Sequence, residues 1–424
     1  MTELPRQISV LHNATLTDGS RCDVEIIGAT VSAVLPAGTA VDYPGQHSID
    51  LTGFVLLTAP AEPHAHLDKA LSFDAINPPM GDLGLAIESW RAYAVDMTCE
   101  SIADRARRQA LLMLQQGTTS IRSHIDLLRG ADPLRGVRAL VRVRAELAGL
   151  LDLELVALAG PDTPDDVVEE ALDLGVDLVG GAPHLAPHPV TDLTRLLSIA
   201  FERGVGVDLH TDESLHGELT IGEFARQVRD WPASHAVTAS HCVRLGTLSE
   251  ADLAEIIAQL RASRISVVTL PITNLYLQGW EDPISTPRGL TAVRALIDAG
   301  VTLAAGADNV RDPFNPVGRS DALETASLLV TAAHLTPDEA YALVSSGARK
   351  LMKLPVAGVC VGAAADLLAV RGNNLSTVVA NAPADRFVIH AGRLVAKSRV
   401  ESQIALPAHI PAHIPPRPLL AEMR

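Results

Sequence analysis

The pattern of apolar and polar residues changes twice along the chain. Up to about residue 57, short strand-like runs are separated by turn sequences such as Asp18-Gly19. From residue 54 onward, segments of helical periodicity alternate with apolar, β-rich runs at 54–59, 118–125, 153–159, 177–181, 205–209, 236–239, 265–270 and 301–305. After residue 354 the sequence becomes strand-like again.

Eight such runs in succession predict parallel strands joined by helical crossovers. This arrangement is typical of a closed (β/α)8 barrel of about 250 residues. A doubly wound open sheet also alternates strands and helices, but it usually carries a glycine-rich phosphate loop after an early strand, and this sequence has none. The sequence therefore predicts an α/β fold with a (β/α)8 TIM barrel over residues 58–357.

The two ends of the chain predict a second, smaller unit. Short β runs at 366–370, 387–390 and 393–396 follow a helical stretch at 336–354. We expect them to complete the sheet begun near the N-terminus, which gives a small β-sandwich domain from residues 1–57 and 358–424. The prolines of residues 405–424 rule out a regular helix there, so this tail is expected to be irregular.

Composition excludes several classes of protein. Hydrophobic residues make up 47% of the 424 residues, which is enough for a large core, while the net charge of −16 argues against nucleic-acid and anionic-membrane partners. There is no apolar stretch long enough to span a bilayer and no secretory leader pattern. The four cysteines are far apart and form no CxxC pair. We expect a soluble cytoplasmic protein.

The first predicted barrel strand leads into His64 and His66. Barrel enzymes carry their chemistry at the carboxyl ends of the strands. Residues two apart on a strand share a face, so both imidazoles can reach one metal ion. An HxH pair alone is weak evidence, because paired histidines also occur on surfaces.

Two later strand ends supply matching ligands. His210 ends the fifth predicted strand and Asp308 follows the eighth, where a buried carboxylate needs a cation or a hydrogen-bond partner to stay ionised. A second metal ion would need a bridging carboxylate or carboxylated lysine, and the strand ends near Gly160 and His184 offer no lysine. We therefore predict one divalent metal ion per chain, zinc or iron, bound by three histidines and one aspartate.

Two further polar residues lie next to these ligands. Glu213 comes three residues after His210, where a carboxylate could move protons near an activated water molecule. The alternative for Glu213 is a helix-capping or solvated acid. His241 ends the sixth predicted strand and could equally be a hydrogen-bonded core histidine.

The motifs around these residues resemble the amidohydrolase superfamily, and within it the branch of bacterial cytosine deaminases. The similarity runs through nearly the whole chain, in Pro63-His64-Ala65-His66-Leu67-Asp68, Ile121-Arg122-Ser123-His124-Ile125-Asp126, His210-Thr211-Asp212-Glu213, Thr238-Ala239-Ser240-His241, Asn274-Leu275-Tyr276-Leu277-Gln278-Gly279, Asp308-Asn309-Val310-Arg311-Asp312-Pro313 and Gly362-Ala363-Ala364-Ala365-Asp366. The resemblance implies a mononuclear zinc or iron site with the four ligands above.

The resemblance also implies catalytic roles. Asp308 is expected to take a proton from the water, and His241 to orient and polarise the hydroxide. Glu213 is expected to protonate a ring nitrogen as hydroxide attacks the amine-bearing carbon, which prevents charge from accumulating on that nitrogen.

Some positions depart from the cytosine deaminases and bear on the substrate. Gly160 stands where they carry a glutamine that reads the pyrimidine edge, so cytosine is a doubtful substrate. The residues around Asn309, together with the Asp68-Lys69 pair, are more similar to N-isopropylammelide amidohydrolase, which lacks the glutamate present here as Glu213. We predict that four positions line the substrate pocket, the alternative for each being loop packing: Leu83, Gly160, Asn309 and Phe314.

These features predict an aminohydrolase that releases ammonia from a small nitrogen heterocycle, such as a pyrimidine, triazine, pterin or creatinine-like ring. One alternative is an amidohydrolase that cleaves an N-alkylamine or cyclic amide bond. A less favoured alternative is a catalytically silent metal-binding scaffold. We also expect the chain to form a homo-oligomer.

Overall fold

The computed structural model describes residues 4–401 and 403, so the predicted irregular tail at 405–424 lies outside the described residues. The N-terminal strands are β1 (Arg6–Gln7), β2 (Val10–Thr15), β3 (Arg21–Ile27), β4 (Thr30–Pro36), β5 (Ser48–Asp50) and β6 (Phe54–Thr58). Next along the chain come β7 (Ala61–Ala65), β8 (Ser120–Asp126), β9 (Asp152–Ala159), β10 (Leu178–Gly181), β11 (Gly206–Thr211), β12 (Val237–His241), β13 (Ser266–Thr269) and β14 (Leu303–Ala305). The last strands are β15 (Leu367–Arg371), β16 (Arg386–His390) and β17 (Arg393–Ser398).

Within the described residues these strands form two sheets. Strands β7 to β14 pair in parallel, each with its neighbour in the chain, in an eight-stranded sheet that has the predicted barrel order. The N- and C-terminal strands form a nine-stranded mixed sheet in the order β1-β17-β16-β15-β6-β2-β3-β4, with β5 beside β2. The predicted α/β class and the sheet built from both chain ends are confirmed. The domain boundaries at 57/58 and 357/358 stay predictions.

Helices fill the crossovers and follow the barrel. They are α1 (Phe73–Ile76), α2 (Leu83–Ala94), α3 (Cys99–Gln115), α4 (Arg135–Glu146), α5 (Asp165–Asp173), α6 (Pro189–Arg203), α7 (Ile221–Val228), α8 (Glu250–Ser263), α9 (Pro271–Leu277), α10 (Val293–Asp298), α11 (Ala322–Ala333), α12 (Pro337–Val344), α13 (Ser346–Leu351) and α14 (Leu375–Asn381). Capping explains several boundaries. The Ser249 side chain accepts a hydrogen bond from the Asp252 backbone at the start of α8, and Gly204 ends α6 in the left-handed conformation. In the described part of the chain, no helix is both long and apolar enough to cross a membrane.

One predicted barrel strand belongs to the other sheet. Residues 54–59 look like a buried barrel strand, but β6 pairs with β15 and β2 of the mixed sheet. Both faces of β6 are buried: Val55 and Leu57 pack into the barrel core, while Phe54 and Leu56 pack into a second core within the mixed sheet. A strand covered on both faces has the same continuous apolar pattern as a parallel barrel strand. The true first barrel strand is β7, whose sequence AEPHA is too short and polar to stand out.

The barrel closes between β7 and β14 through the residues that flank the predicted ligands. The backbone N–H of Asp308 donates to the carbonyl of His64 at 3.1 Å. The buried carboxylate of Glu62 accepts from the backbone N–H groups of His64 at 3.1 Å and Ala307 at 2.9 Å. Gly306 makes room for it, since a Cβ there would lie 2.1 Å from Glu62 Oε1. These contacts fix the position of the predicted ligands relative to one another.

Candidate metal centre and active site

The four predicted ligands meet at the carboxyl ends of three barrel strands. We call His64, His66, His210 and Asp308 the His/Asp cluster; none of them is more than 8% exposed. The Nε2 atoms of His66 and His210 are 3.2 Å apart, and His66 Nε2 lies 3.3 Å from Asp308 Oδ1. The Nε2 atom of His64 lies 3.7 Å from the same oxygen.

The cluster fits a divalent cation. Among the described residues, His64 Nε2 and both carboxylate oxygens of Asp308 are buried without a hydrogen-bond partner. Buried polar atoms without partners are costly, and a cation removes that cost. Tetrahedral zinc with bonds of about 2.0–2.1 Å separates its ligand atoms by about 3.4 Å, which is close to the distances in the cluster.

Protonation states in the cluster agree with metal binding. Burial lowers the pKa values of His64, His66 and His210 well below their usual range, so these imidazoles are neutral and can donate lone pairs. Burial also raises the pKa of Asp308 well above its usual range, and the charge of Glu213 adds to this effect. A bound cation favours the ionised carboxylate and reverses that shift.

Glu213 and His241 lie beside the cluster. His241 Nε2 lies 3.9 Å from Asp308 Oδ2, and its Nδ1 atom lies 2.9 Å from Asn274 Oδ1 and 3.5 Å from Glu213 Oε1. Because the amide oxygen of Asn274 can only accept, the contact favours a proton on Nδ1 and leaves the Nε2 lone pair facing Asp308. Burial lowers the pKa of His241 to about 4 and raises that of Glu213 to about 7. Glu213 can therefore both gain and lose a proton near neutral pH.

The backbone is strained at two of these positions. His241 and Asp308 have φ angles of +70° and +60°, in the left-handed region that non-glycine residues rarely adopt. Such a conformation costs about 1–2 kcal/mol per residue. Strain of this kind persists where the surrounding structure holds it, and it is concentrated at functional sites.

The cluster lies at a cavity of about 1110 Å3. His66, His210, Glu213 and His241 contribute to its wall. The structure also places all four predicted pocket residues on this wall: Leu83, Gly160, Asn309 and Phe314. Contact with substrate remains a prediction for each of them.

Lys69, a residue without a predicted role, also lines the cavity. Lys69 Nζ donates to Asp126 Oδ1 at 2.7 Å and lies 3.1 Å from His66 Nδ1. The indole of Trp90 donates to the other oxygen of Asp126 at 2.6 Å. In the sequence, the polar partners of this lysine are indicated only by Arg122, His124 and Asp126, which alternate along a strand that is otherwise expected to be buried.

His124 is a further residue without a predicted role. Its ring centroid lies 3.9 Å from that of His64, and both ring nitrogens are buried without hydrogen-bond partners among the described residues. Possible metal-binding atoms of His64, His124 and His210 lie within 4.8 Å of one another, and so do those of His64, His66 and Asp308. The two groups share His64, and the 3.2 Å contact between His66 and His210 connects them. Binding of one ion by the four predicted ligands stays a prediction.

The sequence of the chain matches a known protein family. A sequence model described as "Amidohydrolase family" matches residues 91–396, well over half of the chain. The chain belongs to the amidohydrolase family.

Three known proteins are similar to the chain over nearly its full length. The pterin deaminase of Rhizobium rhizogenes is 29% identical over 391 residues, which cover 89% of this chain and 88% of that protein. The structure of 5-methylcytosine deaminase from Klebsiella pneumoniae, liganded with 5-fluorocytosine, matches with a TM-score of 0.84 and 25% identity over 93% of this chain and 99% of that one. The structure of N-isopropylammelide isopropylaminohydrolase from Burkholderia multivorans matches with a TM-score of 0.78 and 27% identity over 92% of this chain and 99% of that one.

Proposed function

We propose that this amidohydrolase is a metal-dependent aminohydrolase that releases ammonia from an aminated nitrogen heterocycle. The observation that carries the proposal is the position of Glu213. Its carboxyl group is buried, has a pKa of about 7 and lies 3.5 Å from His241, which itself faces the His/Asp cluster. A proton donor, a neutral imidazole and a metal-binding cluster thus share one wall of a cavity.

His64, His66, His210 and Asp308 would hold one divalent ion, zinc or iron. When bound, such an ion acts as a Lewis acid and makes water a competent nucleophile at neutral pH. Asp308 accepts a proton from the attacking water through the carboxylate oxygen that faces His241. The Nε2 lone pair of His241 accepts a hydrogen bond from that water and orients it.

Glu213 supplies the proton that the ring needs. Addition of water to the amine-bearing carbon moves an electron pair onto the adjacent ring nitrogen, and protonation by Glu213 neutralises that charge. Collapse of the adduct then breaks the carbon–nitrogen bond. The leaving amine takes the proton that Asp308 had accepted and departs as ammonia. The hydroxyl group of the adduct returns a proton to Glu213 as the carbon becomes a ring carbonyl.

Three features favour a ring other than cytosine. Gly160 leaves space where a glutamine side chain is expected in cytosine deaminases, and a Cβ at this position would contact only Thr163, at 3.6 Å. Asn309 belongs to a segment that resembles N-isopropylammelide amidohydrolase more than the cytosine deaminases. It lines the cavity, and its side-chain amide donates to Asp312 at 2.8 Å. The pterin deaminase is similar over 88% of its length. We therefore place pterins first among the candidate rings, before triazines and pyrimidines.

An ammonia-release assay on zinc- and iron-loaded protein tests the proposal, with pterin, aminotriazines, cytosine and 5-methylcytosine as probes. We expect turnover of at least one probe and a loss of at least 100-fold in kcat for Glu213→Gln. The matched control is Glu169→Gln, on the exposed side of α5. Full activity of Glu213→Gln contradicts the proton-transfer role, and absence of ammonia from every probe contradicts the proposed reaction.

The second candidate reaction is hydrolysis of an N-alkylamine bond. The N-isopropylammelide enzymes are similar over 98% and 99% of their lengths, and the Asp68-Lys69 pair and Asn309 are shared features of the resemblance. With N-isopropylammelide as probe, the two reactions release different amines. Isopropylamine without ammonia from any ring supports this second reaction over deamination.

A further inference from the structure

The cavity is larger than a heterocyclic ring requires. Pockets that hold drug-sized ligands have volumes of about 300–1,000 Å3, and this one measures about 1110 Å3. A single or fused ring next to Glu213 and His241 occupies only its inner part. The rest of the wall is built from one face of α2 and from the segments that follow β8 and β9.

The wall between the catalytic residues and solvent is apolar along one face of α2, since residues four and seven apart share a helix face. Trp90 is buried and its indole donates to Asp126, while Ile87 and Leu83 on the same face are half-buried. Leu127 and Leu128, after β8, contribute to the wall as well. These side chains form an apolar channel from the catalytic residues toward solvent.

The rim of this channel carries an excess of positive charge, although the chain as a whole has a net charge of −16. Two exposed arginines, Arg91 and Arg129, line the cavity together with one exposed acid, Asp162, while the lining residue Arg135 is buried. Asp162 pairs with Arg129 at 2.8 Å, whereas Arg135 donates to backbone carbonyls. Asp126, deeper in the cavity, is paired with a lysine. Arg91 is exposed and has no ion-pair partner among the described residues.

We propose that this outer channel binds a linear, mainly apolar substituent of the substrate ring that ends in an anionic group held by Arg91. The inference rests on the proposed function, because the ring itself must lie at Glu213. The apolar wall binds the stem, and the guanidinium group of Arg91 binds a carboxylate or phosphate at the mouth. The substrate is thus an aminated heterocycle with an acidic side chain.

Three pterin probes test the proposal: pterin, pteroate, whose aromatic stem ends in a carboxylate, and methyl pteroate, in which that carboxylate is blocked. We expect pteroate to have a kcat/KM at least tenfold above that of pterin, because the stem buries apolar surface. We expect it to exceed the methyl ester about fivefold, as is typical of an exposed ion pair. Arg91→Gln should reduce the ratio of pteroate to ester to about one. Arg108→Gln, an exposed arginine on α3 that lies outside the cavity wall, should leave it unchanged.

The outcomes separate this proposal from the proposed function. Ammonia release from pterin with no preference for pteroate overturns the outer channel and leaves the deaminase intact. Binding of pteroate to Glu213→Gln protein, measured by calorimetry and weakened by Arg91→Gln, supports the channel even if no probe releases ammonia. Absence of both pteroate binding and pteroate turnover overturns the channel.

A series of hydrogen-bonded side chains lies beneath the His/Asp cluster. Ser240 Oγ donates to Asp208 Oδ1 at 2.7 Å and lies 2.9 Å from His64 Nδ1. The serine hydroxyl has one proton, and it is directed to Asp208. Its oxygen can therefore only accept from His64 Nδ1–H, which leaves the lone pair of His64 on Nε2, the atom that faces Asp308.

A buried arginine holds the end of this hydrogen-bonded series that is farthest from the cluster. Arg122 donates to Asp208 Oδ2 at 2.8 Å and to Glu154 Oε2 at 2.6 Å. Asp208 is fully buried, and the positive charge of Arg122 stabilises its ionised form. Arg122 donates to Oδ2 of Asp208, and Oδ1 is the oxygen that accepts from the Ser240 hydroxyl.

We infer that Ser240 and Asp208, supported by Arg122, are positioning residues that hold His64 in its metal-binding tautomer. They act through His64 and touch neither metal nor substrate. Such supporting contacts to metal-binding histidines typically contribute about 10- to 100-fold in metal affinity.

Zinc affinity, measured by competition with a chromophoric chelator, tests this inference without an activity assay. Ser240→Ala and Asp208→Asn should each weaken zinc binding by about 10- to 100-fold. The double variant should lose no more zinc affinity than either single variant, because both substitutions break the same series of hydrogen bonds. The control is Thr269→Val, which removes a buried hydroxyl without a partner from the neighbouring strand β13.

Melting of the metal-free variants shows whether they are folded. Zinc affinities of the single variants equal to that of Thr269→Val overturn the inference. Additive losses in the double variant also overturn it, since independent effects indicate two unrelated contacts. If Ser240→Ala fails to fold, Asp208→Asn alone decides by the same comparison.

Discussion

The backbone N–H of Asp308 donates to the backbone carbonyl of His64 at 3.1 Å, and this bond lies where the barrel closes. Ala65 and Asp308 form the only parallel bridge that joins the ends of β7 and β14 among the described residues. The first and last strands thus meet at the point where their side chains enter the His/Asp cluster. Closure of the fold and assembly of the predicted metal site depend on the same contacts.

Substitution of Gly306 tests that dependence. A Cβ at this position would lie 2.1 Å from Oε1 of Glu62, whose carboxylate joins the two strand ends through Oε2, the acceptor for the backbone N–H of Ala307. We expect Gly306→Ala to lower the metal content and to destabilise the protein by about 1–3 kcal/mol through overpacking. Metal analysis and urea unfolding measure both effects. Gly222→Ala, where a Cβ meets only the ends of two long side chains, is the control, and equal metal content in the two variants contradicts the expected coupling.

The pH dependence of activity should follow the protonation of Glu213. Burial raises its pKa to about 7, above the ordinary value of 4.5. The protonated form is the proton donor, so kcat/KM should fall as the pH rises through about 7, and a bound cation moves this limb to lower pH. A pH–rate profile in which the same limb persists in Glu213→Gln would contradict the assignment.

The buried ion pair of Lys69 predicts a loss of stability when it is broken. Lys69 Nζ lies 2.7 Å from Asp126 Oδ1 and 3.9 Å from Asp68 Oδ2, and its side chain is 4% exposed. We expect Lys69→Met to lower the free energy of unfolding by about 3 kcal/mol, because it removes the counter-charge of buried Asp68 and half-buried Asp126. Urea unfolding measures this. Adding Asp126→Asn should recover part of the loss, and a double variant with fully additive losses argues against the pair.

An ion pair between the mixed sheet and the start of helix α11 should stabilise the fold without affecting the site. Arg386 on β16 donates to both carboxylate oxygens of Asp321, at 2.9 and 2.6 Å, and Asp321 also caps the start of α11. We expect Arg386→Met to lower the free energy of unfolding by about 3–5 kcal/mol. Zinc affinity at a temperature where the variant is folded should equal that of the wild type. A lowered affinity means that the mixed sheet contributes to the site.

The strand order of the barrel could be predicted because parallel strands buried on both faces produce long apolar runs. The same apolar pattern made the prediction of a barrel strand at residues 54–59 wrong, since β6 is also buried on both faces but belongs to the mixed sheet. Helix α2 was not predicted. Its residues Leu83 and Ile87 line a cavity and are only half-buried, and Trp90 alone of the three joins the barrel core, so its apolar pattern is incomplete.

The candidate site followed from strand ends, because polar residues after buried strands are few and conspicuous. His64, His66, His210 and Asp308 could be placed in this way. The roles of Ser240 and Asp208 depend on which atoms face each other across the barrel, and spacing in the sequence carries no such information. The predicted homo-oligomer stays a prediction.

Turnover in 18O-labelled water, with zinc-loaded protein and the ring that releases ammonia fastest, is the decisive measurement for the proposed aminohydrolase. We expect one ammonia per ring converted and one 18O atom in the new ring carbonyl, with both products absent when His210 is replaced by alanine. Release of an alkylamine, product without 18O, or undiminished turnover in His210→Ala would contradict it.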